Sequence, residues 1–148
     1  MNLLAPVSSI MNRELHVVLP DDHISLVKDV FDRKRIQHIP VLRHGRVVGI
    51  INKQGFRGFY DGLNKHVDNK LLNQTLLRVH TAEEVMNKKV YFLEMHDRIS
   101  LALEMLRDNI FSALPVLDGE KLVGIVTSLD IVKTLAKDKV MDLDYRIV

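Results

Sequence analysis

The 148-residue chain contains no cysteine. That absence removes disulfide frameworks, thiolate metal sites and cysteine nucleophiles together, and it fits a reducing compartment. Charge of one sign is scarce as well: 21 Lys and Arg face 19 Asp and Glu, leaving a net +2. With aromatics at only 5%, the chain has neither the electrostatic footprint nor the stacking residues of a nucleic-acid binder. No apolar run approaches the roughly 18–20 residues of a membrane span. The opening Met1-Asn2-Leu3-Leu4-Ala5-Pro6 has no basic stretch ahead of a long apolar one, so no signal peptide is expected. The histidines show no metal-ligand spacing, and no glycine-rich phosphate loop is present. No nucleophile–base pair or pair of acids stands at a workable spacing, so no enzyme is expected. What is left is a cytoplasmic globular chain whose 47% apolar content suffices for a real core.

What the chain does have is an internal repeat. Ile10-Met11-Asn12 returns as Val85-Met86-Asn87, and Ile24-Ser25-Leu26 as Ile99-Ser100-Leu101. Ile39-Pro40-Val41-Leu42 returns as Leu114-Pro115-Val116-Leu117, and Val48-Gly49-Ile50-Ile51 as Val123-Gly124-Ile125-Val126. All four pairs stand 75 residues apart, and unrelated chains do not hold one period without gaps.

Each copy follows one grammar. A short strand comes first, near Val17–Leu19 and Val90–Leu93. A helix follows, with Ile24, Val27, Val30 and Phe31 on one face, and Ile99, Ala102, Met105 and Leu106 at the same offsets. Asp22 and Asp97 stand just ahead, placed to cap or favour the helix N-terminus. Then comes a hairpin: the strand at Ile39–Leu42, a turn at His44-Gly45, and a return over Val47–Ile51. The second copy gives Leu114–Leu117, Asp118-Gly119 and Leu122–Val126. A closing helix is predicted near Lys53–Leu63 and Ser128–Ala136. The repeat is therefore βαββα, and the fold class α+β, mixed helix and strand. Residues 63–81 read as a helical or semi-ordered connector, without proline or a glycine cluster. Residues 139–148 form a tail with no pattern.

The h-P-V-h strand, the G-h-h-T-x-x-D strand-to-helix junction and the h-M-N phrase, each in order at a fixed spacing, resemble the CBS (cystathionine β-synthase) domain family. The resemblance covers repeat one at 7–62 and repeat two at 82–138. It implies a stand-alone CBS pair of the bacterial and archaeal type, with two repeats packed through their sheets about a pseudo-twofold axis. It further implies a regulatory module whose clefts take an adenosine-containing small molecule: AMP, ADP, ATP or S-adenosylmethionine. No other cofactor is required. A regulated protein would be the downstream partner. The alternative is a dimerisation scaffold that binds no ligand.

By that resemblance the site belongs to the second junction, Gly124-Ile125-Val126-Thr127-Ser128-Leu129-Asp130. A helix begins there, so free N–H groups and a positive dipole end face the cleft. The family places Thr127 and Ser128 near phosphate and Asp130 on the ribose hydroxyls. The same residues also read as a capping box, with Thr127 as N-cap and Asp130 at the third helical position. In the first copy the junction is Asn52-Lys53-Gln54-Gly55, where Gly55 offers a diol nothing, so that half-site is expected to be degenerate. Gln37 and His38, just before the first h-P-V strand, are the expected phosphate contacts from the partner repeat. His38 also reads as an ordinary exposed or hydrogen-bonded histidine. The second copy has only Ser112 and Ala113 there. Phe92, Leu93, Ala113, Leu114, Pro115 and Val116 are expected to form the adenine slot, or plain core, or both. Arg33-Lys34-Arg35 reads as a solvated helix end.

A single pair leaves apolar helix faces that a chain of this length cannot cover, and the isologous twofold is the commonest closure. A homodimer is expected. Light scattering at micromolar concentration should give twice the chain mass; the mass of one chain would count against it.

Overall fold

The computed structural model describes residues 1–65, 69–108 and 111–137; the tail 139–148 and His66 lie outside them. After a 3-10 turn at Val7–Ser9, the chain forms α1 (Ile24–Arg33), β1 (His38–Arg43), β2 (Arg46–Asn52) and α2 (Lys53–Asn64). The connector supplies α3 (Lys70–Val79). The second copy runs α4 (Ala82–Val85), β3 (Leu93–Glu94), α5 (Ile99–Arg107), β4 (Ala113–Asp118), β5 (Lys121–Thr127) and α6 (Ser128–Lys137). The fold is a mixed helix-and-strand tandem repeat.

The elements follow their local patterns. Ile24, Val27 and Phe31 are buried on α1; Ile99, Ala102 and Leu106 are buried on α5. Both hairpins are antiparallel in equivalent registers: Ile39 faces Ile51 in the first, Leu114 faces Val126 in the second. The first turn puts His44 at φ 52° and Gly45 at φ 77°; the second puts Gly119 at φ 63°. Two-residue hairpin turns need such left-handed residues to match strand twist.

Two local expectations differ from the outcome. The strand expected at Val17–Leu19 is reduced to one parallel bridge, Val18 with Val41, while its second copy is the two-residue β3, parallel to Val116 and Leu117. Asp22 and Asp97 do not cap α1 and α5. His23 and Arg98 hold the N-cap positions and make no side-chain cap. The two aspartates stand one residue too early to reach the first helical amides. Their carboxylates instead accept the N–H groups of Leu19 (2.7 Å) and Glu94 (2.8 Å), closing the turn before each helix.

The copies are not packed as independent beads. Val7 and Met11 belong to the core of the second copy, with Leu93, Ile99, Leu114, Val116 and Val126. Ala82 and Met86 pack in the first, with Val18, Ile24, Val27, Ile39 and Val41. The exchange is symmetric down to single hydrogen bonds. Val7 N–H donates to Asp97 C=O (2.7 Å) and Ala82 N–H to Asp22 C=O (2.8 Å). Asn12 bridges Ile125 on β5, and Asn87 bridges Ile50 on β2.

Each crossing segment passes over a glycine. A Cβ on Gly124 would lie 2.4 Å from Met11 Sδ and 2.7 Å from its Cγ. On Gly49 it would lie 2.3 Å from Met86 Sδ and 2.7 Å from its Cγ. Glycine within a strand is costly unless another segment approaches this closely. Gly124→Ala should therefore destabilise the protein by about 1–3 kcal/mol, the usual cost of overpacking. In urea denaturation, Met11→Ala should weaken the penalty of Gly124→Ala, because the two share one contact. Additive losses would refute the contact as the cause.

Candidate functional site

The exchange opens a cleft. Between its bridge to β5 at Asn12 and its bridge to β1 at Val18, the chain crosses from the second sheet to the first. The strip it crosses holds the start of α6 on one side and the α1–β1 loop on the other. A cavity of about 440 Å³ lies there. Its apolar wall is Leu15, Ile36, Pro40 and Ile125. Its polar rim includes Thr127, Ser128 and Asp130 from the second junction, Gln37 and His38 from the loop, and Ser112. Arg35, Lys53 and Lys133 add three cations; Asp130 and Glu14 are the carboxylates. Arg35, Lys53 and Lys133 make no ion pair among the described residues.

At the junction Thr127 and Asp130 form a reciprocal pair. Asp130 Oδ2 accepts the Thr127 N–H (2.8 Å) and the Thr127 hydroxyl (2.7 Å). Asp130 N–H reaches back to Thr127 Oγ1 at 3.3 Å. This is a capping box. It uses one carboxylate oxygen, and Asp130 Oδ1 has no partner among the described residues. Capping therefore orients the carboxylate at the cavity and leaves one acceptor available. The first junction is capped more simply: Asn52 Oδ1 accepts the Gly55 N–H at 2.6 Å.

His38 is half-buried, with its Nε2 2.8 Å from Ser112 Oγ. Burial pushes its imidazole below the usual histidine value; the Asp130 carboxylate pulls the other way and does not win. His38 is a half-buried, hydrogen-bonded histidine. The electrostatic influence of Asp130 on it ties the loop of one copy to the junction of the other.

The structure thus brings Gln37, His38, Thr127, Ser128 and Asp130 to one cavity. It does not bring Phe92, Leu93, Ala113, Leu114, Pro115 and Val116 there. Leu93, Leu114 and Val116 are fully buried in the second core, Ala113 and Pro115 are buried on β4, and Phe92 is exposed elsewhere. The reason is the exchange. The segment before β3 bridges to the first sheet at Asn87, so it crosses the other cleft; residues 12–17 take its place here. Ser112, read as belonging to the first half-site, faces His38 in this one. The Arg33-Lys34-Arg35 run is exposed at the end of α1, as expected, and Arg35 also lines the cavity. Asn12, Glu14, Leu15, His16, Lys53, Gln54 and Lys133 escaped sequence reasoning. Lys133 alone carried a local signal, lying one helical turn beyond Asp130 on the same face.

The family model of the CBS domain matches residues 7–60 and 82–137, so the chain belongs to the CBS domain family. Protein MJ1225 of Methanocaldococcus jannaschii is 27% identical over 134 residues, covering 88% of this chain and 47% of that protein. The homoserine O-acetyltransferase of Methanosarcina acetivorans is 25% identical over 124 residues, covering 82% of this chain and 20% of that enzyme. The chain thus spans less than half the length of these curated relatives. Among solved structures, the CBS domain pair of protein MJ0100, in complex with 5′-methylthioadenosine and S-adenosyl-L-methionine, has a TM-score of 0.71 at 24% identity. The match covers 92% of this chain and 99% of that one. CBSX2 in complex with AMP has a TM-score of 0.73 at 22% identity, covering 90% and 98%. Both share the fold. Among the described residues, no helix is long and apolar enough to cross a membrane.

The lowered His38 value fixes the sign of a pH effect. The unfolded chain takes up a proton at the ordinary histidine value, about 6.5, before the folded one does. Stability contributed by neutral His38 is thus present above about pH 6.5 and is lost as pH falls below it. His38→Gln should remove that part of the acid-side decline in urea midpoint. If wild type and variant decline in parallel between pH 7 and 5, His38 is not the group responsible.

Proposed function

We propose that this chain is a regulatory module that binds an adenosine-bearing ligand (AMP, ADP, ATP or S-adenosylmethionine) in the cleft between residues 12–16, the α1–β1 loop and the start of α6. The observation that carries the reading is a capped Asp130 with one oxygen unused at a cavity with one apolar wall and three cations, none of these in an ion pair or second hydrogen bond among the described residues. A carboxylate oxygen suits the ribose hydroxyls. Leu15, Ile36, Pro40 and Ile125 suit a flat base, as apolar walls with a few convergent polar groups generally do. The Ser128 hydroxyl and the Ser128 and Leu129 N–H groups at the start of α6 suit phosphate, while the Thr127 hydroxyl and N–H are held by Asp130. Gln37, His38, Arg35, Lys53 and Lys133 add donors and positive charge. The solved CBS structures bound to AMP and to S-adenosyl-L-methionine agree with this ligand class. The site carries no activated nucleophile, which favours sensing over catalysis.

A second reading, a scaffold that dimerises without ligand, is favoured by Leu129, Val132 and Leu135, exposed at every third position of α6, with exposed Leu101 on α5. Dimerisation through this helix face is compatible with a ligand in the cleft; what separates the two readings is whether the cleft binds one.

Calorimetry of the purified chain with AMP, ADP, ATP and S-adenosylmethionine tests the first reading. Asp130→Ala should weaken the best ligand by roughly ten- to a hundredfold, the about 1.5–3 kcal/mol of a hydrogen bond to a charged group. It should also lower the melting temperature of the free protein, because the capping box goes with it. A lower melting temperature with unchanged affinity would make Asp130 a cap and nothing more.

A further inference from the structure

The two clefts are related by the 75-residue repeat, so each wall residue of the open cleft has a counterpart in the other. The symmetric bridges make this correspondence structural: Asn12–Ile125 answers Asn87–Ile50, and Val18–Val41 answers Leu93–Val116. Of the open cleft's wall, His16 corresponds to Tyr91 and Ile36 to Phe111. Where the open cleft has an imidazole and an aliphatic side chain, the first cleft therefore has two aromatic rings.

Those rings touch. The Tyr91 and Phe111 centroids are 4.3 Å apart, tilted by 46°. Lys89 adds its ammonium over the Tyr91 ring at 5.7 Å. A nucleobase held between two rings needs them about 7 Å apart, two stacking distances of about 3.5 Å. At 4.3 Å the rings have taken each other as partners, and no base fits between them. Separating them would forfeit an aromatic contact and expose Phe111, which packs on the second core.

From this we infer that the first cleft is closed by its own side chains: the Tyr91–Phe111 pair occupies the place where a base would stack. The consequence is a chain with one ligand cleft and one permanently filled cleft. The closure is independent of Gly55, which removes the ribose acceptor but blocks nothing. It also bears on the open cleft, because Phe111 leads directly into Ser112, whose hydroxyl faces His38. The filled cleft thereby helps hold one wall of the open one. The inference rests on the ligand reading above only for what is excluded; the ring contact is a property of the free protein.

Two measurements test it. Nuclear Overhauser contacts between the Tyr91 and Phe111 rings should be present in the wild-type chain and persist with saturating AMP or ATP. Loss of those contacts, or a contact from the nucleotide to either ring, would overturn the closure. If neither nucleotide contacts any residue while the ring contacts remain, the ligand reading fails and the closure stands. The second measurement is calorimetric stoichiometry. Gly55→Asp alone should leave one nucleotide per chain, because the rings still bar entry. Gly55→Asp combined with Tyr91→His and Phe111→Ile, which copies the open cleft's wall, should give two. Two sites in the single variant, or one in the triple variant, would each show that the rings are not the barrier.

Discussion

Met11 lies on the bare backbone of Gly124, and Met86 on that of Gly49. These contacts hold each crossing segment against the sheet of the opposite copy. Everything distinctive about the molecule follows from them. Val7 can enter the second core only because Met11 and Asn12 anchor the chain on β5. Ala82 can enter the first only because Met86 and Asn87 do the same on β2. Neither sheet keeps its apolar face covered without the segment donated by the other copy, so the pair folds as one unit. Bare glycine backbone under a flexible, polarisable thioether is a natural solution where two segments must come close.

The crossing that completes the cores also creates the cleft. A segment anchored at Asn12 on one sheet and at Val18 on the other must span the space between them. The start of α6 and the α1–β1 loop meet beneath it. This is why one cavity collects side chains from far apart in sequence: His16, Arg35, His38, Ser112 and Asp130. A ligand there would touch both copies at once. Any change in how the copies sit would be felt by it, and the reverse holds by linkage. Binding in such a cleft would couple to the relation between the two halves.

Approximate symmetry then allows the two clefts to diverge. One kept an aliphatic wall, a hydroxyl and a carboxylate on a capped helix start. The other has Gly55 where the open one has Asp130, Ala113 where it has His38, and the touching Tyr91 and Phe111 rings. Both copies are needed to complete the two cores, whereas the walls of the two clefts differ.

The sequence by itself determined the elements that depend on neighbours in the chain. The faces of α1 and α5, the two hairpins and their left-handed turn residues, the helix starts at Lys53 and Ser128, and the Thr127–Asp130 pair are all set by local periodicity, turn chemistry and capping. The repeat was equally legible, because a constant spacing needs no three-dimensional information. Tertiary structure decided which copy supplies which wall. Phe92, Leu93 and residues 113–116, expected as adenine slot, plain core or both, supply core at Leu93, Leu114 and Val116. The exchange moved residues 12–17 into the open cleft, and the apolar pattern of Val7 and Met11 would fit either core. It also made Arg35 and Ser112 part of the cavity. Nothing local distinguishes a segment that packs on its own sheet from one that crosses to its neighbour's; the choice depends on long-range contacts that form only when both sheets are present.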